Sequence, residues 1–126
     1  SCGVRGHTEA WLSGPNFAAD YASRSGIPEA DAPRPQEIVA LAERGDATAE
    51  ESLQRFEDRL GRSLALIVNI LDPDVIVVGG GLSNIARLYE TVPPKIAAHI
   101  FGDKFNTRLV PNLHGDSSGV RGAAWL

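Results

Sequence analysis

Three consecutive glycines, Gly79-Gly80-Gly81, follow the apolar run Asp74-Val75-Ile76-Val77-Val78 and precede Leu82-Ser83-Asn84. Residues without a Cβ let backbone N–H groups approach a phosphate or a base closely, and a helix starting after them adds a dipole that favours an anion. That chemistry is nucleotide binding. A tight turn packed against a neighbour explains the same residues. The run is not a Walker A loop, lacking Gly-Lys-Ser/Thr, nor a Gly-x-Gly-x-x-Gly turn, because Asn84 holds the last position.

The opening stretch Cys2-Gly3-Val4-Arg5-Gly6-His7-Thr8-Glu9 offers a second kind of chemistry. Cys2 and His7 are potential zinc ligands, but a closed zinc site takes about four donors, and His99 and His114 lie far along the chain without ligand-like spacing. An exposed thiol and a surface imidazole account for Cys2 and His7 equally well. Glu9 is an ordinary acid unless the fold places it in a cleft. Asp72 and Asp74 flank Pro73 at a spacing that could hold a cation, and a helix stop followed by a strand start explains them too. Asp20, Glu43, Asp46, Glu50, Glu51, Glu57 and Asp58 read as solvated helix faces or ends, since charged residues are rarely buried unless paired. No Ser-His-Asp or Cys-His arrangement stands out.

The chain has 126 residues, 43% of them hydrophobic and 22% charged, which is the profile of one globular domain. Lys and Arg number 12 against 16 Asp and Glu, a net charge of -4 with no basic patch, so nucleic acid is not the expected partner. A single cysteine forms no internal disulfide and points to a cytoplasmic protein. No apolar run approaches the ~20 residues of a membrane span, and no secretory signal is present. The chain opens on Ser1 and contains no Met, which fits either a trimmed start or a piece of a longer protein.

Several elements must position these residues. Ser13-Gly14-Pro15 supplies an N-cap and a first-turn proline for a helix carrying Phe17, Ala18, Tyr21 and Ala22, and Gly26 ends it. The stretch from Ile27 to Pro35, with Pro28, Pro33 and Pro35, reads as a mobile surface connection. A short helix over Pro35–Glu43 follows. From Ala47 to Leu71 the apolar residues Leu53, Phe56, Leu60, Leu64, Ile67 and Leu71 recur at helical spacing, predicting a long amphipathic helix whose final turns enter a core. Asp72-Pro73 terminates it and biases Asp72 toward extended geometry. Asp74–Val78 lacks polar alternation, as in a strand buried on both faces of a parallel sheet. A helix is expected directly after the glycines with Ile85, Leu88, Tyr89 and Val92, broken by Pro93-Pro94, with another helical piece over Lys95–Phe101. Thr107–Val110 is a second strand, and Asp116-Ser117-Ser118-Gly119 caps a last helix. The tetrapeptide Gly-Val-Arg-Gly occurs at 3–6 and 119–122 without flanking similarity and makes no repeat.

Together these stretches resemble the ROK family of sugar kinases, and most closely its bacterial fructokinases. The family's zinc motif, Cys-x-Cys-Gly-x-x-Gly-Cys-x-Glu, is met from its second cysteine onward by Cys2 to Glu9. Leu71 to Ser83 matches the family's Leu-Asp-Pro-Asp, hydrophobic strand and glycines. His114 to Leu126 is similar to the fructokinase ending.

The resemblance implies an α/β fold, with residues 1–126 forming a single domain that is part of the carboxyl-terminal lobe of an actin-like, ribonuclease H-like ATPase. That lobe is helix-rich with a short, mostly parallel sheet. It further implies that Glu9 hydrogen-bonds hydroxyls of a sugar, that Gly79, Gly80 and Gly81 lie against adenosine and phosphates, and that Cys2 and His7 are what is present of a structural Zn²⁺ site. The family's first zinc cysteine would fall just before Ser1, its zinc histidine further upstream, and His7 replaces its third cysteine. The amino-terminal phosphate loop and the aspartate that takes the proton from the sugar hydroxyl are absent from this chain, so alone it is expected to be inactive. The implied parent passes the γ-phosphate of ATP to a hexose with Mg²⁺, yielding ADP and, for fructose, fructose 6-phosphate. It is a cytoplasmic homodimer with no membrane or nucleic-acid partner. Sugar-responsive ROK repressors share this lobe and are the alternative, distinguished by an amino-terminal DNA-binding helix.

Overall fold

The computed structural model describes residues 6–102 and 104–113. They fall into two compact units, Ser1–Leu60 and Gly61–Leu126.

In the first unit, α1 (Glu9–Leu12) is a single turn with no buried residue, and α2 (Gly14–Ser25) follows it at once. The Ser13 hydroxyl accepts from the Asn16 N–H, Pro15 sits in the first turn, and Gly26 closes α2 at φ 70°, the left-handed cap that glycine adopts without strain. Phe17, Tyr21 and Ala22 are buried, as their spacing predicts. The proline-rich connection holds a 3-10 turn at Glu29–Asp31. Helix α3 (Pro35–Glu43) and helix α4 (Ala47–Leu71) have the predicted bounds. The Asp46 carboxylate caps α4 by accepting from the Ala49 N–H at 2.8 Å. Ile38, Leu53, Phe17 and Phe56 form the core, the last two rings 5.1 Å apart. Each such side chain contributes roughly 1.5–3 kcal/mol on burial. Glu57, read from sequence as a solvated residue, is instead 1% exposed within this unit.

The second unit carries β1 (Val75–Val78), α5 (Leu88–Ala97) and β2 (Arg108–Pro111) beside the last turns of α4. The strands pair in parallel, as expected, with Val75 opposite Arg108 and Val78 opposite Pro111. The Thr107 hydroxyl donates to the Pro73 carbonyl at 2.7 Å, and the Asn112 N–H to the Val78 carbonyl at 3.0 Å, extending the ladder at both ends.

Four expectations fail here, each for a physical reason. The apolar end of α4 is not in a core: Leu66, Ile70 and Leu71 are at least 65% exposed, because Ala65 and Val68 occupy the stripe that this unit covers. Strand β1 is not buried on both faces: the sheet has two strands among the described residues, and Val77 is 60% exposed. Asp72 is not extended but left-handed at φ 43°, its N–H donating to the Val68 carbonyl and closing α4 as a glycine would. Finally, Gly81–Asn84 is a 3-10 turn, and α5 begins only at Leu88 and runs through Pro93 and Pro94. An interior proline costs about 3 kcal/mol. Leu88, Val92 and Ile96, all within 1% exposure on one face, offset that loss by their burial. The predicted last helix and the second Gly-Val-Arg-Gly lie outside the described residues.

Candidate functional site

Glu9 opens α1, directly before the α2 cap, and its side chain is exposed. Its carbonyl is clamped: the Ser13 N–H and the Asn16 side-chain amide both donate to it at 3.2 Å, and the same amide donates to the Ser13 hydroxyl at 2.6 Å. Among the described residues the Glu9 carboxylate has no ion pair. An exposed carboxylate on a residue whose backbone is held is an acceptor for the hydroxyls of a polyol.

Trp11 shares this short helix, with the Arg59 guanidinium 4.9 Å from the centre of its ring. Arg59 Nη1 lies 3.6 Å from Asp20 Oδ1, and the same carboxylate faces Arg55 at 3.4 Å and Arg24 at 3.4 Å. Asp20 is therefore a hub and not the solvated residue that its position on α2 suggests. Trp11, Asn16 and Arg59 are not among the residues that sequence singles out. The Ser13-x-x-Asn16 spacing was the one local signal that could have pointed to the clamp.

The glycine turn stands at the carboxyl end of β1. Gly79, Gly80 and Gly81 are all exposed. Gly80 adopts φ 74°, ψ -175°, a conformation open to glycine, and a Cβ there would meet open space. The turn is held from one side: the Ser83 hydroxyl donates to the Gly80 carbonyl at 2.6 Å, and the Tyr89 hydroxyl to the Ser83 carbonyl at 2.6 Å. Burial pushes the Tyr89 pKa up, keeping that hydroxyl a donor. With a 3-10 turn following, the expected helix dipole is not directly behind the glycines, and their accessible backbone is what remains for a phosphate or a base.

His7 is exposed, and Cys2 lies outside the described residues. Among the described residues, which include His7 but not Cys2, no three His, Cys, Asp or Glu side chains converge on a metal position. A cavity of about 400 Å³ between α4 and the turn at His99, lined by Arg62, Leu66, Asn69 and Phe101 among others, contains none of the candidate residues. No described helix is long and apolar enough to cross a membrane.

A parallel strand pair linked through a glycine turn and a helix, following a long amphipathic helix, is an α/β arrangement. The ROK family profile matches residues 1–126, and the chain belongs to the ROK family. An N-acetyl-D-glucosamine kinase of Photobacterium profundum is 40% identical over 125 residues, covering 99% of this chain and 40% of the relative. The chain thus spans about two-fifths of the length of the curated relatives it matches. A ROK family glucokinase from Streptomyces griseus, solved with glucose and AMPPNP, superposes with a TM-score of 0.83 at 24% identity, over 98% of this chain and 45% of that one. A ROK family transcriptional regulator homologous to the Escherichia coli MLC protein superposes with a TM-score of 0.64 at 24% identity, over 87% and 30%. The chain has the fold of part of the carboxyl-terminal lobe of these actin-like proteins, helix-rich with a short parallel sheet.

Proposed function

We propose that this chain is the carboxyl-terminal part of an ATP-dependent sugar kinase, in which Glu9 binds the sugar and Gly79, Gly80 and Gly81 bind the nucleotide. The observation that carries the reading is the exposed carboxylate of Glu9, on a residue whose backbone carbonyl is clamped, in a chain matched along its whole length by the ROK family. As an ionised acceptor, Glu9 orients hexose hydroxyls, and the exposed glycine backbone lets adenosine and phosphates approach without side-chain obstruction. Phosphoryl transfer rests mainly on such positioning and on charge neutralisation, which Mg²⁺ supplies when bound with ATP. In this reading the base that takes the hydroxyl proton comes from the other lobe of the kinase, and the isolated fragment is expected to be inactive. Cys2 and His7 remain the donors assigned to zinc, and no step of the reaction runs through them.

For the sugar, the His114–Leu126 ending favours fructose, whereas the named activity of the 40% identical relative favours N-acetyl-D-glucosamine. The family's homodimer and a cytoplasmic location belong to the same proposal. A second reading, the effector lobe of a sugar-responsive repressor, draws on the superposition with the transcriptional regulator.

The test is a coupled ADP-release assay of the full-length protein with fructose, glucose and N-acetyl-D-glucosamine. Sugar-dependent turnover is expected, and Glu9→Gln should raise the sugar KM by about tenfold to a hundredfold, the worth of a hydrogen bond to a charged group. Sugar binding without turnover, together with DNA binding, would establish the repressor instead.

A further inference from the structure

We infer that Arg59, through its stack on Trp11, is a positioning residue for Glu9. The inference rests on the proposed role of Glu9 as the sugar ligand. Helix α1 has four residues and none is buried, so neither helical cooperativity nor a core contact fixes its orientation. Two ties hold it. At its amino end the Asn16 amide grips the Glu9 carbonyl. At its other tie the Trp11 ring, half exposed, lies against the Arg59 guanidinium of α4. A tryptophan left 50% exposed is not held in place by burial alone, and the cation above its face supplies the directional part.

The charge pattern keeps Arg59 available to the ring. Asp20 is a single carboxylate facing Arg24, Arg55 and Arg59, and Arg24 has a second partner in Glu51 at 3.3 Å. One negative charge shared among these guanidiniums leaves Arg59 only partly neutralised, at 3.6 Å, while fixing its direction from α2. Arg59 therefore joins α1 to both α2 and α4. Without it, α1 rotates about its Asn16 anchor, which changes the direction in which the Glu9 side chain leaves the backbone and turns its carboxylate off the sugar. Loss of a positioning contact acts on sugar binding and leaves nucleotide binding alone.

The experiment uses the full-length protein, the coupled assay and the best sugar of the panel, with Trp11→Leu, Trp11→Phe, Arg59→Met, the double variant Trp11→Leu/Arg59→Met, and Glu9→Gln. Trp11→Leu and Arg59→Met should each raise the sugar KM about two- to fivefold, the range of a partly exposed cation–π contact. The ATP KM, kcat and melting temperature should stay close to the parent's. Trp11→Phe, which keeps a ring face, should recover most of the loss, and the double variant should be no worse than either single one, because both remove the same contact. If Arg59→Met does not fold, Trp11→Leu at its half-exposed position decides alone. An unchanged sugar KM in Trp11→Leu while Glu9→Gln raises it overturns the inference but leaves the proposed function standing. A parallel rise in sugar KM and ATP KM also overturns it, as general loosening. An unchanged sugar KM in Glu9→Gln removes the proposed role of Glu9 and the inference with it.

Discussion

Replacing Gly61 by alanine would place a methyl carbon 2.6 Å from Lys95 Cβ and 3.2 Å from the Lys95 carbonyl carbon. Carbon atoms pack best at roughly 3.5–4.0 Å, so α5 must withdraw from α4 by about 1 Å. Lys95 meets the new methyl with its Cβ and backbone, and neither can rotate away as the tip of a long side chain could. The shift is transmitted to Ile96 and Val92, both 0% exposed and packed one turn apart on the same helix. Overpacking of this kind costs about 1–3 kcal/mol. Against it stands the intrinsic gain of alanine over glycine in a helix interior, about 1 kcal/mol. With backbone atoms in the clash, the cost lies in the upper part of its range, and the net is a loss of about 1–2 kcal/mol. Urea denaturation followed by far-ultraviolet circular dichroism reads this as a lower midpoint at an unchanged slope. The pair offers an internal control: in a Lys95→Gly background the closest contact is gone, and Gly61→Ala should then cost much less. A midpoint for Gly61→Ala at or above that of the parent would refute the reasoning, since propensity would have outweighed the close approach of the two helices.

Two further outcomes follow from local geometry. The Glu37 carboxylate accepts from the Arg34 N–H at 2.7 Å and pairs with the Arg34 guanidinium at 3.3 Å, and these contacts hold its pKa below the ordinary glutamate value. A group with a depressed folded pKa stabilises above its unfolded pKa and loses that contribution as pH falls through the folded one. An NMR titration should therefore place the Glu37 midpoint below that of a free glutamate, and Glu37→Gln should flatten the stability profile in that acidic window. At Asp72, φ 43° suits glycine and is tolerated by Asp, so Asp72→Val should destabilise by about 1–3 kcal/mol while Asp72→Gly is neutral or stabilising, both read from urea midpoints.

What the sequence made legible was whatever its signals decide locally. Ser13, Pro15 and Gly26 bracket α2 because caps act within one turn, and the apolar spacing from Leu53 to Leu64 together with Asp46 and Asp72-Pro73 bounds α4. Helix α5 was misread for the converse reason. Pro93-Pro94 is a strong local stop, and it is overruled by three side chains, Leu88, Val92 and Ile96, whose burial becomes visible only once the partners of α5 are known. The candidate site divides in the same way. Glu9 and the three glycines are marked by neighbours in sequence, whereas Asp20 meets Arg55 across 35 positions, and no local pattern announces such a pairing.

The exposed apolar end of α4 carries the remaining lesson. Its periodicity was read correctly as a helix with an apolar face, and Leu53 and Phe56 at one end of the stripe are buried as that reading requires. Ile67 and Leu71, at the other end of the same stripe, are 42% and 70% exposed, and Val77 of the strand that follows is 60% exposed. Hydrophobic spacing states that a face needs cover, and it is silent on which residues provide it. Two strands and α5 leave that part of the second unit uncovered among the described residues, in a chain that spans about two-fifths of its curated relatives. The exposed end of α4 and the single-sided strand thus share one cause, since both faces need a cover that the described residues do not supply.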